Sequence, residues 1–435
     1  ASLALAIISL LLALQSAYSA LLLLYAWEDG DRQLQNRAPD SFEPPALSFT
    51  ILLPARHEEA VIRETIQRVV ELDYPPELVQ ALVVVDASDR GTIRAVQSKL
   101  DELRLAGVNN VRLLTFDEPP INKPHGLNVG LAQASGQIVT IFDAEDEPHP
   151  AILQVVNTVM VRERMPVVQC GVQLMNYADK WFSALNVLEY FFWFRSRMHY
   201  QAALNIVALG GNTVFIERHL LHEMHGWDEA CLTEDADIGV RLSAAGVPIR
   251  VLYDDRYITR EETPPTVGQF IRQRTRWNQG FLQVLAKGDW LRLPRWRQKL
   301  LALYTLASPL LQAAMMVYVP ISLWTIVMVK TPELVALVST LPLYMLIVQL
   351  AVNVVGLFEF TGVHGLRASP LSVLVLLVSY VPYQWLLCFS SLRALWRQVR
   401  GDNSWEKTTH TGAHRKQTAI QPVVVIAEIE ASVSG

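Results

Sequence analysis

The sequence predicts an α/β domain, built on a mostly parallel, doubly wound sheet and held between helices that cross or lie on a membrane. Three observations predict this fold class. Short apolar runs alternate with segments of helical spacing through the middle of the chain. Before and after that middle region the chain contains uncharged runs of about 20 residues, the length that a bilayer requires. Acidic residues follow two of the predicted strands, where such sheets bind ligands.

Composition restricts the classes of function. The 435-residue chain is 51% hydrophobic and carries a formal net charge of −5. That charge gives no electrostatic support to a nucleic-acid partner, and the length accommodates one large domain with membrane helices. Cys170, Cys231 and Cys388 are far apart and show no metal or disulfide spacing, so we expect reduced, structural thiols.

Residues 1–28 are predicted to form a transmembrane helix, because Leu3–Trp27 is uncharged and long enough to span a bilayer. A cleaved signal peptide is the alternative, although the apolar run continues beyond its small residues to Leu24. Residues 29–46 are polar and contain prolines, which is typical of a linker. The soluble domain is predicted at residues 47–265.

The first half of this domain alternates strands with helices. Ala81–Val85 is apolar without interruption, which indicates a strand buried on both faces of a sheet. Strands are predicted at 47–53, 81–85, 111–116 and 137–142, with helices at 58–71, 92–105 and 126–134. Pro54, Asp86 and Asp143 lie just past three strand ends, so we expect a ligand site at that edge.

Four carboxylates follow the fourth strand, in the segment Asp143-Ala144-Glu145-Asp146-Glu147. In an extended chain residues i and i+2 point the same way, so Asp143 and Glu145 are candidates to face one cation. Oxygen ligands suit Mg²⁺ or Mn²⁺, and such a cation can neutralise a leaving diphosphate. A solvated acidic loop is the alternative.

Candidates to hold a nucleotide lie near the other strand ends. Asp86 is placed to accept hydrogen bonds from a base or ribose, unless it only caps a helix or turn. Pro54, Ala55 and Glu58 follow the first strand and are placed to wrap the nucleoside. Lys123 precedes a helix, where a lysine can serve a phosphate; a surface lysine is the alternative.

The segment Thr233-Glu234-Asp235 is the candidate source of a catalytic base. An inverting sugar transfer needs a carboxylate that takes the proton from the attacking hydroxyl group. We assign that role to Asp235 and expect Glu234 to position the acceptor. Helix N-capping is the competing interpretation, since a helix is predicted to begin near Asp237, and the two roles are compatible.

The string Gln273-Arg274-Thr275-Arg276-Trp277 lies in the segment 266–300, which we predict to form interfacial helices. Its two arginines are suited to bidentate pairing with phosphate oxygens. Its tryptophan can stack on a sugar ring. A basic and aromatic patch at the membrane interface is the alternative.

Residues 301–395 are predicted to form transmembrane helices, and residues 396–435 a cytosolic or flexible tail. Apolar segments of bilayer length lie at 306–329, 334–358 and 371–392. Three crossings from a cytosolic domain would leave the end of the chain outside, yet Arg393, Arg397 and Arg400 follow the last segment and positive charge prefers the inside. Either one segment is re-entrant or interfacial, or one hydrophobic stretch crosses the membrane differently from this assignment.

In this order the strings resemble the membrane-bound family 2 glycosyltransferases, which include cellulose, hyaluronan, chitin, curdlan and poly-N-acetylglucosamine synthases. The resemblance covers about Ser48–Gly280 and the flanking helices. It implies a nucleotide-binding α/β fold called GT-A (Rossmann-like), facing the cytosol of an enzyme in the plasma (inner) membrane. It also implies inversion of the anomeric centre in one displacement.

The resemblance implies roles for individual residues: nucleotide contacts for Asp86 and Asp143, and the general base for Asp235. Other members of the predicted site are nucleotide-sugar contacts at Pro54, Ala55, Glu58, Lys123, Gln273, Arg274 and Arg276, acceptor contacts at Gly211, Asn212, Thr213 and Trp277, Glu234 beside the base, and Asp143 with Glu145 as metal ligands. Glu145 replaces the second aspartate of the family's Asp-x-Asp string, which leaves either Glu145 or Asp146 as the second ligand.

The expected function is transfer of a sugar from a nucleotide-sugar donor, a UDP-sugar by resemblance, to a growing β-linked polysaccharide, processively and with coupled secretion. A glycolipid synthase that adds one or a few sugars to a lipid is the alternative, which the small number of membrane segments favours. A catalytically inactive scaffold or polysaccharide sensor is a third hypothesis. The expected partners are the donor, a polysaccharide or lipid acceptor, the bilayer and Mg²⁺ or Mn²⁺, but no nucleic acid.

Overall fold

The computed structural model describes residues 2–27, 30–328 and 332–406. Its strands are β1 (Phe49–Ala55), β2 (Val79–Asp86), β3 (Val111–Phe116), β4 (Ile138–Ile141), β5 (Val167–Cys170), β6 (Val172–Leu174), β7 (Val214–Glu217), β8 (Ile249–Leu252) and β9 (Thr259–Glu261). Seven of these form one sheet in the order β3-β2-β1-β4-β7-β5-β8, in which only β7 runs antiparallel to its neighbours, while β6 and β9 pair separately. The predicted mostly parallel sheet is confirmed.

Helices cover both faces of the sheet and continue beyond it. They are α1 (Ser2–Leu24), α2 (Gly30–Gln35), α3 (Ile62–Val70), α4 (Arg90–Leu105), α5 (Lys123–Ala132), α6 (Ile152–Glu163), α7 (Ser183–Phe192), α8 (Met198–Ala203), α9 (Arg218–Glu223), α10 (Glu234–Ala244), α11 (Val267–Lys287), α12 (Trp296–Leu306), α13 (Ser308–Met328), α14 (Glu333–Ser339), α15 (Leu341–Val363) and α16 (Pro370–Arg400). A π-helical turn at Trp193–Arg197 joins α7 to α8.

The central strands form because both of their faces are buried. Ala81–Val85 of β2 is at most 1% exposed, as expected for a strand with helices on each side. Strand β1 runs through Pro54, beyond the predicted end at residue 53. Pro54 pairs with Val84 of β2, whereas pairing with β4 stops at Leu52. The missing N–H of Pro54 therefore disrupts no hydrogen bond on the β4 side.

Four helical segments are long and apolar enough to cross a membrane: Ala6–Leu24, Ser308–Met328, Glu333–Val363 and Pro370–Arg400. The third of these is divided into α14 and α15 at Thr340, because Pro342 lies at the start of α15, where a proline suits a first helical turn. The segment 407–435 of the predicted tail lies outside the described residues.

Candidate active site

A cavity of about 960 Å³ begins at the carboxyl ends of β1, β2 and β4 and continues between the apolar helices. The sheet gathers the residues that follow these strands, since neighbouring parallel strands end at the same edge. Of the predicted site residues, those that line the cavity are Pro54, Ala55, Glu58, Asp86, Lys123, Asp143, Glu145, Gly211, Asn212, Glu234, Asp235, Gln273, Arg274, Arg276 and Trp277. At the other end the cavity reaches Gln349 on α15 and Gln384 on α16.

Thr213 is the predicted site residue that the structure places outside the cavity wall. Its side chain is fully buried, and its hydroxyl donates to the hydroxyl of Thr259 at 2.9 Å. Its N–H donates to the carbonyl of Ile141 at 2.8 Å, and its φ of 50° turns the chain. The turn points Thr213 into the sheet while Gly211 and Asn212 stay on the cavity side.

The wall nearest β2 carries the residues predicted to contact a nucleoside. The carboxylate of Asp86 accepts hydrogen bonds from the backbone N–H of Ser88 at 3.0 Å and from its hydroxyl at 2.7 Å. The backbone N–H of Glu58 donates to the Thr92 hydroxyl at 2.9 Å. These bonds fix the loops after β1 and β2 against α4, so the carboxylates of Asp86 and Glu58 have defined positions.

The carboxylates of the acidic loop after β4 point in different directions. Asp146 is fully buried and accepts hydrogen bonds from the Asp143 N–H at 2.8 Å and from the Asn212 amide at 2.8 and 2.9 Å. Burial, followed by Glu261 and Asp143, raises the pKa of Asp146 well above its usual range. Asp146 thus supports the loop from inside, and the geometry favours Glu145 as the carboxylate that accompanies Asp143 in the cavity.

Sequence reasoning missed Glu261 at the end of β9, which also lines the cavity. Its carboxylate accepts a hydrogen bond from Asn212. Burial, followed by the charges of Glu145 and Asp143, raises the pKa of Glu261 to about 7. The sequence signal for this residue is the acidic pair Glu261-Glu262 after a short β-prone run. Because β9 follows β4 by more than a hundred residues, the sequence alone could not predict that Glu261 lies beside Asp143 and Glu145.

These carboxylates fit a divalent cation whose coordination is completed by oxygen atoms of the substrate. Within residues 2–27, 30–328 and 332–406, no three His, Cys, Asp or Glu side chains are arranged as a complete metal site. Mg²⁺, however, is commonly held by one or two carboxylates together with substrate phosphates. Asp143 and Glu145 supply that number at the cavity wall, and mutual repulsion among the buried acids favours a counter-charge there.

Lys123, at the start of α5, bridges the two acidic clusters. Its ammonium group lies 2.6 Å from a carboxylate oxygen of Asp143 and 3.8 Å from one of Glu234, and it donates to the Gly211 carbonyl at 3.1 Å. Burial opposes its charge, but Asp143 and Glu234 outweigh burial and raise the pKa of Lys123. Lys123 is therefore a cation that lies between the cavity wall at the ends of β1, β2 and β4 and the carboxylates of α10.

Helix α10 begins at Glu234, three residues before the predicted start, and Thr233 is its N-cap residue. Asp235 therefore lies in the first turn, where its carboxylate accepts from the Ala236 N–H at 2.8 Å. Glu234 is only 3% exposed, whereas Asp235 is half-buried. Burial raises the pKa of Asp235 and raises that of Glu234 to about 7. Asp235 is the more accessible carboxylate and the better placed to meet a hydroxyl group.

Helix α11 brings the string at residues 273–277 to the same cavity because of Gly280. A Cβ atom at Gly280 would lie 2.4 Å from the Thr233 hydroxyl and 2.7 Å from the Thr233 backbone nitrogen. The glycine thus allows α11 to approach the turn directly before Glu234. A hydrogen bond from the Leu232 N–H to the Gln283 amide oxygen, at 2.8 Å, holds the same contact.

The two arginines of the string differ in their surroundings. Arg274 lies 2.6 Å from the Glu189 carboxylate, and its guanidinium stacks over Trp277 at 4.6 Å. Arg276 instead stacks over Trp405 at 4.6 Å, and among the described residues no carboxylate lies within ion-pair distance of it. Arg276 is therefore the better candidate to pair with phosphate oxygens, whereas Arg274 fixes the orientation of Trp277.

Sequence reasoning also missed Glu189 and Trp405, which line the cavity. Glu189 lies inside α7, in an aromatic and basic segment that suggested an interfacial or a core helix and not a member of the site. Trp405 follows α16 in the segment Asp402–Glu406, which Arg397 holds through the Ser404 carbonyl at 2.6 Å. An isolated charge in an apolar helix was the available signal for Glu189, but its partner Arg274 lies 85 positions away.

The central part of the chain matches the family model described as "Glycosyltransferase like family 2" over residues 44–280. A probable glycosyltransferase of Bacillus subtilis, YdaM, is 28% identical over 246 residues, which cover 55% of this chain and 56% of that protein. A beta-monoglucosyldiacylglycerol synthase of Trichormus variabilis is 26% identical, over 54% of this chain and 49% of that protein. The chain thus spans about half the length of these relatives.

A poly-beta-1,6-N-acetyl-D-glucosamine synthase of Staphylococcus epidermidis is 24% identical, over 62% of this chain and 63% of that protein. Among solved structures, the mannosyltransferase PcManGT of Pyrobaculum calidifontis, in complex with GDP-Man and Mn²⁺, has a TM-score of 0.53 at 18% identity and covers 92% of this chain and 99% of that one. The structural likeness extends to the fold, which is of the predicted GT-A type.

Proposed function

The chain belongs to glycosyltransferase family 2, and on that premise we propose that it transfers a sugar, with inversion, from a nucleotide-sugar donor to a lipid acceptor in the membrane. The observation that carries the proposal is the single cavity that joins the carboxylates at the sheet edge to the apolar helices. We further propose an integral enzyme of the plasma (inner) membrane with its catalytic domain in the cytosol.

The donor is proposed to lie along the wall formed by β1, β2 and β4. Pro54, Ala55, Glu58 and Asp86 contact the nucleoside in this arrangement. Gln273 and Arg276 face the diphosphate from α11, and Lys123 adds a second cation at its other side. Asp143 and Glu145 would hold Mg²⁺ or Mn²⁺, which neutralises the negative charge of the departing diphosphate.

The base is proposed to be Asp235. Its carboxylate takes the proton of the acceptor hydroxyl while that oxygen bonds to the anomeric carbon and the carbon–oxygen bond to the diphosphate breaks. The bonding electrons leave with the nucleoside diphosphate, and attack from the opposite face inverts the anomeric centre. Glu234 and Lys123 keep the base in place, and Gly211 leaves room beside it, since a Cβ atom there would lie 3.2 Å from the Asp235 carboxylate.

The chemistry of the deeper cavity supports a lipid acceptor. On α13 the lining residues run from Ser308 to Leu323, which corresponds to about 22 Å of helix. The lining residues beyond Gln312 on α13 and α15 are mostly apolar, namely Met315, Met316, Val319, Leu323, Leu343, Leu346, Ile347 and Leu350, and the polar side chains among them are Gln349 and Asn353. Such a surface suits a hydrocarbon chain better than sugar hydroxyl groups, which would lose hydrogen bonds to water there.

Processive synthesis of a β-linked polysaccharide, with a UDP-sugar as the donor, is the second candidate. It is supported by the aromatic rings of Trp277 and Tyr190, which lie 6.1 Å apart on the cavity wall and offer faces for sugar rings. Only four of the described helical segments are long and apolar enough to cross a membrane, however, which favours a lipid acceptor from the bilayer over a polymer that crosses it.

The test is a product analysis with the purified full-length protein in vesicles of bacterial lipids. Radiolabelled UDP- and GDP-sugars are supplied one at a time with Mg²⁺ or Mn²⁺, and products are separated by thin-layer chromatography and by size. We expect a labelled lipid that the Asp235→Asn variant fails to form and the surface variant Asp101→Asn still forms. A labelled polymer without any labelled lipid would contradict the lipid acceptor and support the second candidate.

A further inference from the structure

One arginine on the membrane side of the cavity has no role in the proposed sugar transfer. Arg197 is the last residue of the π-helical turn between α7 and α8. Turns of this kind are rare and often occur at functional sites. This one brings Trp193, Phe194 and Arg197 together to the cavity wall.

Arg197 is surrounded by membrane elements rather than by acids. Its guanidinium donates to the Ser19 hydroxyl of α1 at 2.7 Å, and the adjacent Ser196 donates to the Leu23 carbonyl of α1 at 2.8 Å. Arg195, two positions earlier, pairs with Glu359 at 2.6 Å. For Arg197, no carboxylate lies within ion-pair distance in the part of the chain that the structure describes.

A cation next to a membrane helix is unfavourable unless an anion accompanies it. Arginine presents a fork of N–H donors that fits phosphate oxygens, and one of its five donors is used by Ser19. Arg197 lines a cavity whose deeper wall is mostly apolar. An anion joined to a hydrocarbon chain would satisfy both features.

Two apolar helices, α1 and α13, border the cavity near this position. Helix α1 packs against α15, and α13 packs against α16, whereas α1 and α13 share only a small contact. Ser16 and Ser19 of α1 and Leu311 and Met315 of α13 nevertheless line one cavity. The two helices therefore line the cavity together near Arg197, where the ring of Tyr18 on α1 also lies 4.8 Å from that of Tyr304 on α12.

We propose that Arg197 binds the phosphate-type headgroup of an anionic membrane lipid that lies in the cavity between α1 and α13. The inference rests on the proposed function and specifies its acceptor class as an anionic lipid. The acyl chains would extend along Met315 and Val319 of α13 and Leu346 of α15. The headgroup would then lie between the apolar region and the carboxylate of Asp235.

The test measures lipid retention by the full-length protein. The protein is equilibrated with vesicles of phosphatidylcholine and phosphatidylglycerol, re-purified in mild detergent, and analysed for bound lipid by mass spectrometry. Arg197→Gln should retain about tenfold less phosphatidylglycerol than wild type, since a charge-assisted pair is lost. Arg197→Lys should retain an intermediate amount, and Arg104→Gln, an exposed arginine on α4 outside the cavity, should match wild type.

Equal retention by wild type and Arg197→Gln would overturn the anion site, as would displacement of the lipid by excess inorganic phosphate alone. The proposed function fails in a different way: wild type would then form no labelled lipid although its retention of phosphatidylglycerol depends on Arg197. The two results are read from separate measurements, so they distinguish the site from the reaction.

A different observation concerns α16, which contacts the catalytic domain or the adjoining helix α11 at three points along its length. The loop before α16 accepts a hydrogen bond from the Tyr177 hydroxyl at 2.9 Å. In the middle of the helix, the ring of Tyr383 lies 5.4 Å from that of Phe270 on α11. Near its end, Arg397 donates to the Gln279 amide at 3.0 Å.

Both ends of α16 thus lie on the domain side, which a crossing helix cannot achieve. Its 31 residues correspond to about 46 Å, longer than the roughly 30 Å hydrocarbon core. The other apolar helices behave differently. They contact one another away from the catalytic domain, since the Ser9 hydroxyl of α1 donates to the Val338 carbonyl of α14, and the Tyr318 hydroxyl in the middle of α13 donates to the Ser339 carbonyl at 2.9 Å.

We infer that α16 lies in the plane of the membrane interface, with its apolar stripe in the lipid, and that α1, α13 and α15 are the described helices that cross. The exposed residues of that stripe are Leu371, Leu374, Val378, Val381, Trp385, Phe389 and Trp396. Arg393, Arg397 and Arg400 then lie on the same side as the catalytic domain. Only two helices after the catalytic domain, α13 and α15, then cross the membrane. The chain therefore returns to the side of the domain, where the positive charge after the last segment is expected.

Cysteine labelling of the full chain in intact cells tests this topology. Single cysteines at Arg367, Arg400 and Glu333, all exposed, are introduced into a Cys388→Ser background and treated with a membrane-impermeant maleimide. Arg367→Cys and Arg400→Cys should react only after the cells are permeabilised, and Glu333→Cys should react before. Labelling of Arg367→Cys and Arg400→Cys on opposite sides would show that α16 crosses and would overturn the inference.

Discussion

Gly280→Ala is expected to impair catalysis without touching any residue that binds substrate. The new Cβ atom would lie 2.7 Å from the backbone nitrogen of Thr233, whereas ordinary contacts begin near 3.4 Å. Rotation of the Thr233 side chain cannot relieve a clash with the backbone, so α11 and the turn before Glu234 must separate by roughly 0.7 Å. Overpacking of this kind typically destabilises by about 1–3 kcal/mol.

The displacement lies between the two halves of the active site. It moves Arg276 and Trp277 relative to Asp235, and a misplacement of about 1 Å can reduce a rate by ~10²-fold. We therefore expect kcat to fall between tenfold and a hundredfold, while the protein remains folded. Steady-state sugar transfer and the thermal unfolding midpoint are measured on the same preparation.

Gly268→Ala supplies a matched control on the same helix. Gly268 has nothing closer than the Thr266 hydroxyl at 4.0 Å, so an alanine there adds helix propensity without a clash. Its activity should equal that of wild type, and its stability should be equal or higher by up to about 1 kcal/mol. Equal kcat in Gly280→Ala and Gly268→Ala would refute the argument that the contact at Thr233 aligns the site.

Three further predictions concern the chemistry. Asp235→Asn should lower kcat by ~10²–10⁴-fold, as for loss of a general base, with nucleotide affinity retained. Because burial raises the pKa of Asp235 and the base acts deprotonated, kcat/KM should fall as pH decreases through a value above the ~3.9 of an exposed aspartate. Chelation by EDTA should abolish transfer, Mg²⁺ or Mn²⁺ should restore it, and Asp143→Asn should raise the concentration of cation required.

Each of these has a contradicting result. Near wild-type turnover of Asp235→Asn would assign the base to another group, and Glu234→Gln is the next variant to compare. If kcat/KM falls only near the pKa of an exposed aspartate, the result would contradict the buried environment of the base. Full activity of wild type in EDTA would remove the metal from the proposal.

The sequence anticipated the parts of the fold and site that depend on neighbouring residues. Asp86 and Asp143 were predicted at one sheet edge, because uninterrupted apolar runs indicate parallel strands whose ends align. The end of β1 was predicted one residue before Pro54, because single-sequence reasoning could not tell that β4 stops pairing at Leu52. Thr213 was grouped with Gly211 and Asn212, because a positive φ at a threonine has no reliable sequence signal.

By itself, then, the sequence determined the alternating α/β domain, the order of its acidic and basic strings, and the presence of bilayer-length apolar segments. Each is a property of ten to thirty consecutive residues, so periodicity and hydropathy specify it. Only the tertiary structure decided that Gly280 lets α11 approach the base, that Glu261 joins the carboxylates, and that both ends of α16 face the domain. Such contacts join distant residues, and an apolar helix face looks the same in sequence whether lipid or protein covers it.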